Sequence, residues 1–455
     1  MSDTVAASRT AGAAGKLARA ARASSRKMMG LTGQRRSEAL LRIADGLAAD
    51  REAILAANAA DMEAAARAGV AAPLVQRLGI DAKLEKVVDG VRQVATAADP
   101  VGAAQWRRRL DDGLELTRVA RPIGVLGIVF ESRPDALVQI ASLCLKTANA
   151  VVMKGGSEAA RTNQQLHASI CSALSFEPAF AGAVGLMTTR DDVAELLELD
   201  DLVDLIIPRG GNELVRSIKA ATRIPVMGHA DGICHVYVHA DANLQMAVDV
   251  LVDSKTETVA VCNAAETLLV HRDIAAELLP RVVAGLRASG TELRGDETVA
   301  SIVAAVPATD ADWDTEYLDY ILSAAVVADL DQAVSHINTH GSGHTDTIVT
   351  ADAAAAAEFM QRVDSASVMW NASTRFADGY RFGMGAEVGI STNRIHARGP
   401  VGIDGLLTYQ YQLRGTGQLV ADYTSGSRSF HFVDLPTDDR PGADTAAPAT
   451  QRSQP

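Results

Sequence analysis

The sequence is poor in cysteine, in long apolar runs and in positive charge, and each shortage removes a class of protein. Its 455 residues hold four cysteines, Cys144, Cys171, Cys234 and Cys262, and no CxxC pair. That spacing argues against a disulfide framework or a cysteine-based zinc site. It suits a reducing compartment, so the cytoplasm is the expected location. The apolar stretch Val125 to Phe130, broken by one glycine, falls far short of the ~20 residues that cross a bilayer, and no membrane partner is expected. Forty-three Lys and Arg against 56 Asp and Glu leave a net charge of −13, which repels a polyanion and disfavours nucleic acid. The dinucleotide fingerprint G-x-G-x-x-G is missing too. Gly383, Gly385 and Gly389 have the wrong last spacing and no strand before them. The first 30 residues, rich in Ala, Arg and Ser, lack the apolar h-region of a secretory signal and read as a frayed terminus leading into a helix.

What is present is an ordinary globular balance, 48% apolar and 22% charged, in a chain long enough for two or three domains. Residues 34–98 read as helices: Leu84, Val87, Val88 and Val91 recur at helical spacing, Gly69 closes one segment and Pro100 ends the last. The period then changes. Residues 114–119 alternate like an antiparallel strand, and 125–130 are apolar like a strand buried on both faces. Short apolar runs at 150–153, 202–207, 233–238 and 265–270 then alternate with helical stretches at 135–148, 157–174, 243–255 and 273–289. The fold class is therefore α/β, with largely parallel sheets. Residues 408–424 favour strands of an edge or intersubunit ribbon, which predicts an oligomer, and 436–455 read as a disordered tail.

Several segments could carry chemistry. A strand ending at Met153 runs into Lys154, Gly155, Gly156 and Ser157, which places a positive charge before a Ser-capped helix, a place for an anion. Pro208, Arg209, Gly210 and Gly211 let backbone approach a ligand, with Asn212 capping the next helix. Cys262, in TVAVCNAAET, has polar neighbours Asn263 and Glu266, unlike Cys144 and Cys171 on apolar helix faces, and is the best nucleophile candidate. His336, His340 and His344 recur every four residues with Asp346 beyond, but Gly341 and Gly343 should end the helix after His340. His344 then lines a polar pocket and no metal is expected. The acidic run Asp191 to Asp204 reads as a solvated helix face over buried Leu196, Leu197 and Leu199.

Taken together, residues 15–430 resemble the aldehyde dehydrogenase superfamily, and more closely its γ-glutamyl phosphate reductase branch. The most specific part is VADLDQAVSHINTHGSGHTDTI at 327–348. FESRPDAL at 130–137, MKGGSEA at 153–159, PRGGNEL at 208–214 and VCNAAETLLV at 261–270 support it. The resemblance implies an aldehyde-dehydrogenase-like fold. An NADP-binding domain would comprise 1–233 and about 358–398, and a catalytic domain 234–357. An oligomerisation ribbon would comprise 112–122 and 399–430. It also implies the reduction of γ-glutamyl phosphate by NADPH to glutamate 5-semialdehyde and phosphate in proline synthesis, by a homo-oligomer, with glutamate 5-kinase as a candidate associate.

An acyl phosphate needs only a thiolate to start, and the resemblance assigns that role to Cys262, with its backbone N–H and a side chain near Ser132 as oxyanion donors. Where hydrolytic relatives place a water-activating glutamate, this chain has Gly228, His229, Ala230 and Asp231, which protects a thioester from hydrolysis. Lys154 matches the superfamily lysine at the adenosine ribose. Ser157 stands where NAD-preferring members place a glutamate, and a serine does not repel a 2′-phosphate, so NADP(H) is expected. Gly210, Gly211 and Glu316 complete the implied cofactor site, Glu316 at the nicotinamide ribose. Arg133, His344, Asn371, Ser373 and Arg375 are the candidates for the substrate. The competing readings are a CoA-acylating aldehyde dehydrogenase and, outside the superfamily, a zinc hydrolase on His336, His340, His344 and Asp346 or a noncatalytic scaffold.

Overall fold

The computed structural model describes residues 12–70, 72–131, 133–384 and 386–437, with backbone only at 72–74; the expected tail, but for Pro436 and Thr437, lies outside the described residues. The helical opening forms as its periodicity predicts, over Ala13–Met28, Gly33–Ala49, Arg51–Arg67, Ala72–Leu78 and Asp81–Thr96. Leu84, Val87, Val88 and Val91 are the buried stripe of the last. Gly69, at φ 75°, takes the left-handed position just beyond the Arg51–Arg67 helix, which a side chain would resist. No helix among the described residues is long and apolar enough to cross a membrane.

The first core surrounds a parallel sheet of four strands, in the order Val184–Leu186, Ala150–Lys154, Val125–Phe130, Leu205–Arg209. Every residue of Val125–Phe130 is buried, as the unbroken apolar run requires. The last strand starts at Leu205 rather than at 202, because Leu202 and Val203 bond back to the Leu199 carbonyl in a turn. The expected serine cap is also corrected. Gly156 precedes a short 3-10 turn, Ser157–Ala159, and Ser157 makes no cap bond. The helix proper, Ala160–Leu174, is instead capped from outside, where buried Asp61 accepts from the Thr162 N–H and hydroxyl, each at 2.8 Å.

The second core surrounds a parallel sheet of seven strands. Their order is Val306–Pro307, Glu292–Gly295, Ile321–Val327, Ala265–His271, Cys234–Val238, Thr345–Val349, Ser367–Trp370. Two-residue alternation sends Val236, Val238, Leu268 and Val270 to one face, against helices Leu244–Thr256 and Arg272–Leu286. Tyr237, Leu269 and Ala325 go to the other, against Leu330–His340 and Ala353–Arg362. The segment 358–398 divides between the two cores rather than joining the first. Ser367–Trp370 is hydrogen-bonded along Thr345–Val349, whereas Val388 and Ala397 pack into the first core.

A third, antiparallel sheet stands apart. Ala104–Asp111 pairs with Leu114–Pro122, Leu407–Arg414 joins one side and Val433–Leu435 the other. Strand does not continue to residue 424: Gly417 turns the chain at φ 106°, and Val420–Thr424 is a short helix.

Candidate active site

The amino ends of the seven-stranded sheet face the carboxyl ends of the four-stranded one. Asn212, which opens helix Asn212–Ala221 after the Leu205–Arg209 strand, donates from Nδ2 to Asp231 at 2.5 Å and to Glu316 at 3.3 Å. The residues singled out in the sequence are distributed around this junction.

Cys262 lies in the turn between helix Leu244–Thr256 and strand Ala265–His271, partly exposed. The turn is tightly held. The Ala264 N–H bonds the Val261 carbonyl at 3.0 Å, Asn263 Nδ2 donates to the Ala377 carbonyl at 2.9 Å, and the Thr374 hydroxyl donates to the Asn263 carbonyl at 2.7 Å. Gly232 presses against this turn so closely that a Cβ there would overlap the Cys262 backbone. The Cys234 thiol donates to the Cys262 carbonyl at 3.3 Å. Burial raises the thiols of Cys234 and Cys144, which keeps both protonated and inert.

Two histidines converge on Cys262. The ligating atoms of His229, Cys262 and His344 all lie within 4.8 Å of one another, and the two rings meet edge to face at 5.0 Å. His229 Nδ1 sits 2.9 Å from the Ile390 carbonyl. A carbonyl only accepts, so Nδ1 carries the hydrogen, and in the neutral ring the lone pair lies on Nε2. His344 is 1% exposed. Its Nδ1 is 2.8 Å from the Thr345 hydroxyl, and its buried Nε2 has no partner among the described residues. His336 and His340 belong elsewhere: the Leu330–His340 helix stops at Gly341, and the His336 ring packs on His235 and Trp313.

Around this trio stand charges from both sheets. Arg209 ends its strand with Nη1 buried and unpartnered among the described residues. Burial lowers its affinity for a proton, opposed first by Glu387, and the Cys262 sulfur is among the groups close enough to act on it. Glu316 is pushed up by burial, against the bonds it accepts from Asn212 and the Gly232 N–H. Asp231, the one carboxylate of the Gly228–Asp231 segment, is committed to Asn212 and, at 2.7 Å, to Arg216.

Lys154 ends its strand half-buried, its proton affinity lowered by burial and raised chiefly by Glu158, whose carboxylate occupies the space over Gly156. Ser157 is exposed beside it. At Gly210 and Gly211 the helix N-terminus already holds an anion. Glu131 Oε2 accepts the Gly211 N–H at 3.1 Å and fills the place a Cβ on Gly210 would take.

The remaining expected residues fall into two groups. Ser132 lies outside the described residues; Arg133, exposed, caps helix Pro134–Lys146 and acts electrostatically on Arg209 and Glu387. Asn371 spends its amide on Thr350, accepting from its N–H and donating to its carbonyl, both at 2.9 Å. Ser373 bonds Ser254 and the Arg375 N–H. Arg375 pairs with Glu257 through two nitrogens at 2.8 Å. Ser373 and Arg375 brace the approach to the Cys262 turn, through Ser254, Glu257 and Asn263, whereas Asn371 holds the end of strand Thr345–Val349. His229, Arg209 and Glu131 were not selected from the sequence. They stand 33 or more residues from Cys262, in the segments FESRPDAL, PRGG and GHAD, none of which marks these side chains by local pattern.

Residues 3–300 match the aldehyde dehydrogenase family. The chain is 54% identical over 405 residues to the gamma-glutamyl phosphate reductase of Ruminiclostridium cellulolyticum, covering 89% of this chain and 94% of that protein. The crystal structure of gamma-glutamyl phosphate reductase from Thermotoga maritima superposes with a TM-score of 0.86 at 39% identity, over 89% of this chain and 99% of that one. An acetylating aldehyde dehydrogenase from Geobacillus thermoglucosidasius shares the fold at 18% identity and a TM-score of 0.65, over 89% and 97% of the two chains. The chain belongs to the aldehyde dehydrogenase family and, within it, to the gamma-glutamyl phosphate reductases.

Proposed function

We propose that this chain reduces γ-glutamyl phosphate to glutamate 5-semialdehyde and phosphate with NADPH, through a thioester on Cys262, as a step in proline synthesis. The observation that carries the mechanism is the convergence of His229 and His344 on Cys262. The Nε2 lone pair of His229 takes the thiol proton and leaves a thiolate beside an imidazolium. Attack on the acyl carbon makes the carbon–sulfur bond and breaks the carbon–oxygen bond to phosphate. Arg209, a half-buried cation whose Nη1 is buried and unpartnered among the described residues, receives the charge of the departing group. NADPH, when bound, supplies the hydride that reduces the thioester. Departure of the aldehyde returns the electron pair to sulfur. No carboxylate of the 228–231 segment is placed to activate water, since Asp231 is held by Asn212 and Arg216, and the thioester is spared hydrolysis.

The fit of a nicotinamide dinucleotide rests on the chain's own groups. A helix N-terminus that already holds a carboxylate can hold a diphosphate, Lys154 suits the adenosine end, and Glu316 suits a ribose. Lys154 with Ser157 supports NADP over NAD, provided that Glu158 turns outward from Gly156. Arg133 takes the substrate's carboxylate, because Arg375 is already saturated by Glu257. The four-stranded unit thus carries the cofactor, the seven-stranded one the nucleophile, and the antiparallel sheet joins copies of the chain. Glutamate 5-kinase remains the candidate associate for passing on a labile acyl phosphate, in the cytoplasm.

The test runs the reaction backward from semialdehyde, NADP and phosphate, following reduced nicotinamide absorbance. Turnover should require phosphate or arsenate, and Cys262→Ala should reduce it at least ~10⁴-fold, to background. A rate that ignores phosphate but follows CoA would establish the acylating alternative.

A further inference from the structure

We infer that His229, Cys262 and His344 also form a reversible zinc-binding site, through which a divalent soft cation switches the nucleophile off. Zinc takes imidazole nitrogen and thiolate sulfur at about 2.0–2.3 Å, which sets ligand atoms ~3.3–3.8 Å apart in a tetrahedron. The three ligating atoms here already lie within 4.8 Å of one another, so side-chain rotation need close about 1 Å. Each histidine has the support that a metal ligand needs. His229 Nδ1 is fixed on the Ile390 carbonyl and His344 Nδ1 on the Thr345 hydroxyl, which leaves the Nε2 atoms as the nitrogens available to an ion. The second sign of a ligand is His344 itself. It is 1% exposed, and its Nε2 has no partner among the described residues, a deficit that an ion would satisfy.

Two imidazoles and a thiolate give three ligands and leave the fourth position to water, an arrangement with net charge +1 beside half-buried Glu316, whose carboxylate acts electrostatically on His229. The ion would consume the lone pair that His229 uses as a base and the sulfur that attacks, so binding and turnover exclude one another. Binding displaces the thiol proton and involves no oxidation. Of the regularly spaced His336, His340, His344 and Asp346, only His344 belongs to the site, and among the described residues the trio is the one group of three or more with ligating atoms close enough for an ion.

The test uses the full chain, stripped with chelator and free of cofactor, titrated with zinc by calorimetry. One ion per chain is expected. Affinity should fall at least tenfold in Cys262→Ser and in His229→Asn, while the double variant His336→Asn/His340→Asn binds as the parent does. Cobalt in place of zinc should give a thiolate charge-transfer absorption that Cys262→Ser lacks, and zinc should slow alkylation of Cys262 until chelator restores it. His344→Asn is buried and its folding would be checked by circular dichroism; the two other variants decide without it. Absence of stoichiometric zinc, or undiminished binding in Cys262→Ser, would overturn the proposal. Either result can occur in an enzyme with full phosphate-dependent turnover, so the zinc site and the proposed reaction stand or fall separately.

Discussion

At the scale of single residues, Glu131 shows how a site can be held ready by a substitute. Its carboxylate sits on the Gly211 N–H and over Gly210, the place proposed for the cofactor's diphosphate, so the two anions compete for one helix N-terminus. Glu131→Gln keeps the shape and removes the charge. Relief of one charge–charge repulsion near 4 Å in water is worth about 1 kcal/mol, or ~fivefold in affinity. NADPH should therefore bind ~fivefold tighter to the variant, measured by nicotinamide fluorescence, with the gain shrinking in high salt. Weaker binding would mean that Glu131 contacts the cofactor instead of yielding to it. From the sequence, the glycines of PRGG were legible because paired glycines have few uses. The glutamate was not, since nothing local tells that strand Val125–Phe130 delivers Glu131 beside them. Cys262 stood out by its polar neighbours, whereas the meaning of His229 depended on residues 33 and 115 positions away.

Between elements, the Cys262 turn is framed by an ion pair that no periodicity announces. Lys255, in the last turn of helix Leu244–Thr256, meets Glu266, second in strand Ala265–His271, at 2.6 Å, and both side chains are fully buried. Burial pushes the Glu266 carboxyl up to about 7 against the pull of Lys255, and lowers Lys255 in turn. Glu266 also accepts the Leu318 N–H at 3.3 Å, so the pair ties the segment carrying Glu316 to the turn carrying Cys262. Lys255→Met leaves an unpaired buried carboxylate and should cost about 3–5 kcal/mol in urea unfolding. Lys255→Met/Glu266→Leu should recover most of that loss, because a buried pair returns little beyond its desolvation cost. Its kcat should nevertheless stay low, since Leu318 loses its acceptor. Recovery of both stability and turnover would show that the pair has no positioning role. Helix and strand positions here follow from apolar spacing and were readable within a few residues. The pair was not: Lys255 and Glu266 are eleven residues apart in a segment whose turn geometry, set by Gly232 from another loop, has no local signature.

Across the whole molecule, the antiparallel sheet is unfinished in a way that predicts its partner. Strand Leu407–Arg414 is exposed at every residue after the first and lies at the sheet's outer edge among the described residues. Tyr409, Tyr411 and Leu413 share one face by two-residue alternation and are 52%, 55% and 58% exposed. An apolar strand with a bare edge invites uncontrolled pairing unless something covers it, and proteins of this kind usually blunt such edges with charge, proline or a bulge. Here the described strand carries one charge, Arg414, and pairs with Leu114–Pro122 without a register shift over its whole length. Coverage by a second copy supplies both the missing apolar neighbours and the edge. The chain should therefore run in light-scattering chromatography at a multiple of its 47.7 kDa mass. Tyr411→Asp/Leu413→Asp should move it to 47.7 kDa, because two buried carboxylates at a self-contact face one another across the symmetry axis or sit in apolar surroundings, each a cost of several kcal/mol. Cys262, His229, His344, Arg209 and Glu316 all come from one chain, so the single subunit should still alkylate at Cys262 and bind NADPH. A parent protein that is already monomeric at micromolar concentration would leave the exposed strand without this explanation.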